Sequence, residues 1–163
     1  NYRGHIVNTA SMAGTVNMPN MGVYNVSKHA VVSLTETLYQ DLALVSDQIS
    51  ASVLCPFFVP TGFSHSERNR PSHLAAQPLT ASQKIGQAMS EKAVGSGKVT
   101  APDVAQKVFD AIAANQFYIY SHPQALGSVQ TRMEDVVQGR NPTDPFAHKP
   151  ELGASLKASL RAA

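Results

Sequence analysis

The chain has 163 residues, 43% of them hydrophobic and 15% charged, and its 13 basic and 11 acidic side chains leave a formal charge of +2. A charge so small and so scattered, with no basic cluster beyond Arg68 to Arg70, argues against nucleic acid as a partner. No apolar run approaches the roughly 20 residues of a membrane span, so no membrane partner is expected.

This is the composition of an ordinary globular protein, and a domain of about 150 residues can bury roughly 68–70% of its unfolded surface. Cys55 is the single cysteine, which leaves no disulfide framework. The first residues do not read as a signal peptide, and together these features point to a reducing, cytoplasmic setting.

In chain order, "GHIVNTAS" from Gly4 is short, β-branched and ends in small polar residues, which predicts a buried strand running into a loop. "VYNVSKHAVVSLTETLYQDLALVSD" follows, with Val31, Leu34, Leu38, Leu42 and Val45 at the three-and-four spacing of a helix with one buried face. "ISASVLCP" alternates Ile49, Ala51, Val53 and Cys55 and stops at Pro56, as a strand does. From Gly62 to about Leu79 the chain is rich in Ser, His, Asn, Arg and Pro and reads as a mobile insertion.

A helix is predicted from Ala81 to Val94, capped by Thr80. Another runs from Ala101 to Ala114, where Thr100 and Asp103 approach a capping box. "FYIYS" (Phe117 to Ser121) is a third strand candidate, and Gln124 to Gln138 a last helix before the irregular "GRNPTDPF". In the terminal segment Leu152, Leu156 and Leu160 recur every four residues, which fits either a short docking helix or a frayed end.

This alternation predicts an α/β fold with a parallel sheet and right-handed crossovers. Three strands are few for a doubly wound sheet, and the first would be an open edge. The chain therefore reads as the C-terminal portion of a Rossmann-type domain over residues 1–140, with a tail over 141–163.

The chemistry concentrates in "ASMAGTVNMPNMGVYNVSK". Tyr24 and Lys28 are four apart near a helix start, so both project from one face. A tyrosine hydroxyl in water holds its proton to about pH 10, whereas an ammonium group beside a phenol favours the phenolate and makes the hydroxyl usable as an acid or base. Ser11 falls at a strand's carboxyl end, where open α/β sheets place their ligands. Its hydroxyl can hydrogen-bond a substrate oxygen. Tyr and Lys at this spacing are common on helices; the placement at strand end, loop and helix start is what sets this triple apart.

"NTAS…YNVSK" followed by a strand ending "LCPFFVPT" resembles the short-chain dehydrogenase/reductases, whose active-site pattern is Ser, then Tyr and Lys in Y-x-x-x-K. The likeness covers roughly residues 4 to 122. It implies hydride transfer between NAD or NADP and a small secondary alcohol or carbonyl compound. Tyr24 is then the catalytic acid/base, and Ser11 orients and polarises the substrate oxygen. Lys28 assists the tyrosine and holds the nicotinamide ribose. The family's P-G-x-V-x-T stretch aligns with Pro56 to Thr61, which implies cofactor contacts from Pro56, Val59 and Thr61.

Phe57 departs from the pattern by standing where the family usually has Gly. The family's glycine-rich phosphate-binding turn belongs upstream of Asn1, and so does the residue that selects NAD or NADP. The rival expectation is accordingly a catalytically silent fragment or interaction module without a cofactor cradle.

The resemblance further implies that Met12, Met18 and Met21 flank the substrate pocket, that residues 62–99 form a lid, and that the Tyr24 helix pairs across a homo-oligomer axis. Plain loop packing explains the methionines equally well. The six histidines show no spacing that closes a metal site, so no metal is expected.

Overall fold

A computed structural model describes residues 2–74 and 77–162. Strand β1 (Gly4–Thr9) leads through a 3-10 turn (Met12–Gly14) to helix α1 (Gly22–Val45) and strand β2 (Ile49–Cys55). A second 3-10 segment (Gly62–Asn69) precedes α2 (Ala81–Gly95), α3 (Ala101–Ala113), β3 (Tyr118–Tyr120), α4 (Leu126–Val137) and α5 (Pro150–Arg161).

The sheet has the order β1-β2-β3 and both pairings are parallel, with Gly4 opposite Ile49 and Val53 opposite Tyr118. Parallel neighbours need crossover connections, and the helices between the strands supply them. The result is the α/β Rossmann-type architecture expected from the sequence.

The central strand β2 is covered on both faces. Val53 and Cys55 pack with Ala10 and Val32, while Leu54, one residue out of phase, packs with Val104, Ala111 and Ile119. This corrects the simple alternation: from Ala51 to Cys55 every residue is buried, Ser52 included. Ser52 is satisfied by donating to the Gln116 carbonyl at 2.6 Å and by a 2.6 Å contact with His5 Nε2. With the Ser52 proton committed to that carbonyl, His5 Nε2–H is the donor in the second bond.

Helix α1 forms where expected, and its predicted face is borne out in part: Val31, Leu38 and Leu42 are half-buried, but the fully buried positions lie elsewhere. Asn25, Val32 and Thr35 are buried, whereas Leu34 is 66% and Val45 80% exposed. Thr35 accepts from Asn8 Nδ2 at 3.1 Å and donates to the Val31 carbonyl at 2.6 Å, so a polar pair rather than a leucine meets β1.

Both predicted caps form as reciprocal capping boxes, Thr80 with Gln83 and Thr100 with Asp103, each worth about 1 kcal/mol. Strand β3 is shorter than predicted. Pro56 has no N–H to extend the ladder, and beyond it the Phe57 N–H turns to the Ser121 side chain.

The insertion is not featureless. Arg68 donates to the carbonyls of Gly62 (2.7 Å) and His65 (2.9 Å), and Arg70 grips both oxygens of Glu67. Part of that expectation falls on Ala75 and Ala76, which lie outside the described residues.

Near the end of α4, buried Asp135 accepts from the Thr143 N–H (2.9 Å) and from Arg140 (3.0 Å), which hold its carboxyl below the usual range and tie the start of the tail to the helix. Residues 150–161 do form a helix, α5, that lies against α2 with Gly153 close over Phe146, but it buries no residue: Leu156 is half-buried while Leu152 and Leu160 stay exposed. Among the described residues no helix is long and apolar enough to cross a membrane.

Candidate active site

Ser11 directly follows the buried Ala10 at the carboxyl end of β1 and caps the 3-10 turn, accepting from the Ala13 N–H at 3.2 Å. Its hydroxyl donates to the Pro56 carbonyl at 3.4 Å, near the weak limit of a hydrogen bond. The same carbonyl takes the Met12 N–H at 2.9 Å, and the Ala10 N–H goes to the Leu54 carbonyl at 2.8 Å. The backbone beyond β1 is thereby stitched to the end of β2.

Tyr24 and Lys28 occupy the first two turns of α1. The start of that helix is fixed by Asn25, whose buried side chain donates to the Met18 carbonyl at 2.9 Å. Lys28 Nζ donates to the Thr9 carbonyl at 3.2 Å and stands 5.7 Å from the Tyr24 ring centre. One of its three N–H donors is used in this bond, leaving two. The Tyr24 ring meets Phe63 with centroids 5.8 Å apart.

All six residues predicted for the site, Ser11, Tyr24, Lys28, Pro56, Val59 and Thr61, line one cleft of about 360 Å³. The cleft opens at the carboxyl ends of the strands, where parallel α/β sheets bind ligands. Thr61 caps the second 3-10 segment, and Val59 packs against the Leu54 cluster. Met12, Met18 and Met21 also face the cleft; Met12 is in addition fully buried, so it serves packing and lining together. Cys55 lies beneath the site, where burial pushes its thiol up to about 11 and the Ser11 backbone hydrogen bond only partly offsets this.

Sequence reasoning missed several walls of the cleft. Phe63 comes from the polar insertion, Ser90 and Val94 from α2, and Ala101 and Val104 from α3. Phe63, Ser90 and Val94 lie in the 62–99 segment expected as a lid, which singled out none of them, and Ala101 and Val104 carry no signal for the site. Also missed was the brace behind Phe57: its N–H donates to Ser121 Oγ at 2.9 Å, and that buried hydroxyl lies 2.7 Å from His122 Nδ1. Burial depresses the His122 pKa, with nearby Lys107 acting in the same direction. Among the described residues no cluster of three or more His, Cys, Asp or Glu could hold a metal ion.

Comparison with known proteins gives a consistent result. The family model described as short chain dehydrogenase matches residues 1–72. A CLA biosynthesis dehydrogenase/reductase of Lactiplantibacillus plantarum is 35% identical over 136 residues, covering 81% of this chain and 47% of that protein. A 1-deoxy-11-beta-hydroxypentalenate dehydrogenase of Streptomyces exfoliatus is 30% identical, covering 81% of this chain and 40% of that protein.

Among solved structures, a short-chain dehydrogenase/reductase of Burkholderia phymatum in complex with NAD superposes with a TM-score of 0.86. It is 51% identical and covers 90% of this chain and 52% of that one. The chain thus spans about half the length of the relatives it matches. Sequence motif, sheet order and relatives agree, and the chain belongs to the short-chain dehydrogenase/reductase family.

Proposed function

We propose that the protein of which this chain is part interconverts a secondary alcohol and a carbonyl compound with a nicotinamide cofactor, using Ser11, Tyr24 and Lys28. The observation that carries this reading is the convergence of all three on one cleft at the strand ends. The cleft fits the nicotinamide-ribose end of NAD or NADP. It is of ligand size, Lys28 offers two uncommitted donors to the ribose hydroxyls, and Pro56, Val59 and Thr61 form a wall for the ring. NAD is the form held by the Burkholderia phymatum relative.

The bound nicotinamide supplies or accepts the hydride. In the reductive direction Tyr24 gives its hydroxyl proton to the substrate oxygen as the carbonyl carbon is reduced. It then regains a proton from solvent, so the product is the neutral alcohol. Ser11 leaves its long bond to the Pro56 carbonyl at little cost and donates to the same oxygen as charge builds there. The Lys28 ammonium beside the Tyr24 ring stabilises the phenolate left behind.

In the full protein, Tyr24→Phe should lower kcat by at least about 10²-fold while NADH still binds, as followed by cofactor fluorescence. Undiminished turnover in that variant would discard the reading.

A homo-oligomer is part of the proposal. Val23, Val26, Leu34 and Leu44 project from α1 on the side away from the sheet and are 66–89% exposed, an apolar stripe that a second copy can cover.

A further inference from the structure

The wall of the Tyr24 cleft is chemically one-sided. Met18, Met21, Phe57, Phe58, Phe63 and Val94 are among the side chains of a mostly apolar lining, and Lys28 is the one formally charged side chain among the described residues that line it. That ammonium already donates to the Thr9 carbonyl. No carboxylate, arginine or histidine of the described residues faces the space. With the two remaining Lys28 donors given to the cofactor's ribose hydroxyls, a substrate bearing its own charge beside the reacting carbon would lose hydration without gaining a partner.

Three aromatic rings stand at the mouth and remain more than a third exposed: Phe57 at 38%, Phe58 at 37% and Phe63 at 49%. They are held in place. Phe57 and Phe58 lie 4.1 Å apart between centroids, and Phe63 leans on Tyr24. The backbone of Phe57 is pinned by Ser121, and its ring meets the His122 ring edge-on at 5.7 Å. A fixed, open aromatic surface beside the reacting hydroxyl suits an apolar body attached to the oxygen-bearing carbon.

From this we infer that the substrate is an uncharged, predominantly apolar secondary alcohol or ketone, and that Phe57 is a determinant of that preference. The inference rests on the proposed reading of the cleft as a catalytic site. Phe57 adds ring surface where the family pattern has only a hydrogen, and Ser121 with His122 keeps that ring from folding away. The alkyl or alicyclic part of the substrate lies along Phe57 and Phe58, with its oxygen at Ser11 and Tyr24.

The test measures affinity separately from turnover. Butan-2-one, hexan-2-one, octan-2-one and the charged probe 2-oxooctanoate, whose carboxylate sits on the reacting carbon, are titrated by calorimetry into the full protein with NAD, where no ketone can be reduced, and reduction is followed separately by NADH absorbance. Affinity should rise about fourfold for each added methylene, within the length of the cleft. The carboxylate probe should bind roughly a hundredfold more weakly than octan-2-one. In Phe57→Ala the rise with chain length should shrink at least severalfold.

Affinity that stays flat along the series, or equal affinity for 2-oxooctanoate and octan-2-one, overturns the substrate class. An unchanged slope in Phe57→Ala removes Phe57 from it. Length-dependent binding without any reduction would leave the apolar site standing and sink the catalytic reading instead.

Discussion

Gly14 offers the sharpest test of how the fold holds the chemistry together. The residue ends the 3-10 turn that Ser11 caps, and it lies directly on helix α1. A Cβ at this position would stand 2.6 Å from the Lys28 carbonyl oxygen and 2.8 Å from a methyl of Val32. Ordinary contact begins at 3.4 Å, so turn and helix must part by about 0.8 Å in Gly14→Ala.

The obstructing oxygen belongs to helix backbone and cannot swing aside. The cost therefore falls at the upper end of the overpacking range, about 3 kcal/mol. For a chain of about 150–250 residues that lowers Tm by about 6–12 °C, and in the longer full protein by roughly half as much. The parting also separates Ser11 from Tyr24 and Lys28, and a misplacement near 1 Å is worth on the order of 10²-fold in rate. Differential scanning fluorimetry and kcat/KM for secondary-alcohol oxidation in the full protein read the two effects. Removing the Val32 methyl as well leaves the carbonyl contact in place, so Gly14→Ala/Val32→Ala should not recover activity. A single variant with unchanged Tm and rate would refute the reasoning.

Two further outcomes follow from burial. Cys55, raised to about 11 from its ordinary 9.0 by burial, stays a neutral thiol in the folded chain while the unfolded chain ionises. Its contribution to stability is therefore complete below about pH 9 and is lost as pH rises towards 11. Denaturant midpoints measured from pH 7 to 10.5 should fall more steeply in the wild type than in Cys55→Ala, and native-state alkylation at pH 8 should be slow; rapid alkylation of the folded protein contradicts this. On the exposed stripe of α1, Val26→Glu should weaken self-association by at least about a hundredfold in analytical ultracentrifugation, because each axis would bury two unpaired carboxylates. An unchanged sedimentation profile places the interface elsewhere.

What the sequence disclosed was the part set by neighbours in the chain. Thr100 and Asp103 are three apart and cap the helix they precede, and Tyr24 and Lys28 share a face because the helix carries both. The errors arose where burial depends on distant partners. Leu34 is more apolar than Thr35, yet Thr35 is the buried one, because Asn8 on β1 supplies its hydrogen bond. Ser52 reads as a solvent-facing position in an alternating strand. It is buried because β3 and α3 close the second face and Gln116, 64 residues away, accepts its proton. The same limit hid Phe63, Val94 and Val104, which reach the cleft from elements whose own periodicity says nothing about Tyr24.

That division also separates reaction from recognition in the proposed site. Ser11, Tyr24 and Lys28 sit on a strand end and a helix start that are tied by backbone bonds to Leu54 and Pro56 and by Asn25 to Met18. A group on such elements is held closely, as proton transfer requires. Phe57, Phe58 and Phe63 lie on the segment after β2 and on the 3-10 turn, beyond the last ladder bond. Changes at Phe57 and Phe58 alter the shape and polarity of the wall without touching the Tyr24 ring, on which Phe63 packs. Substitutions at 57 and 58 should therefore redistribute activity among substrates, whereas those at Gly14 and Asn25 should depress it for every substrate alike.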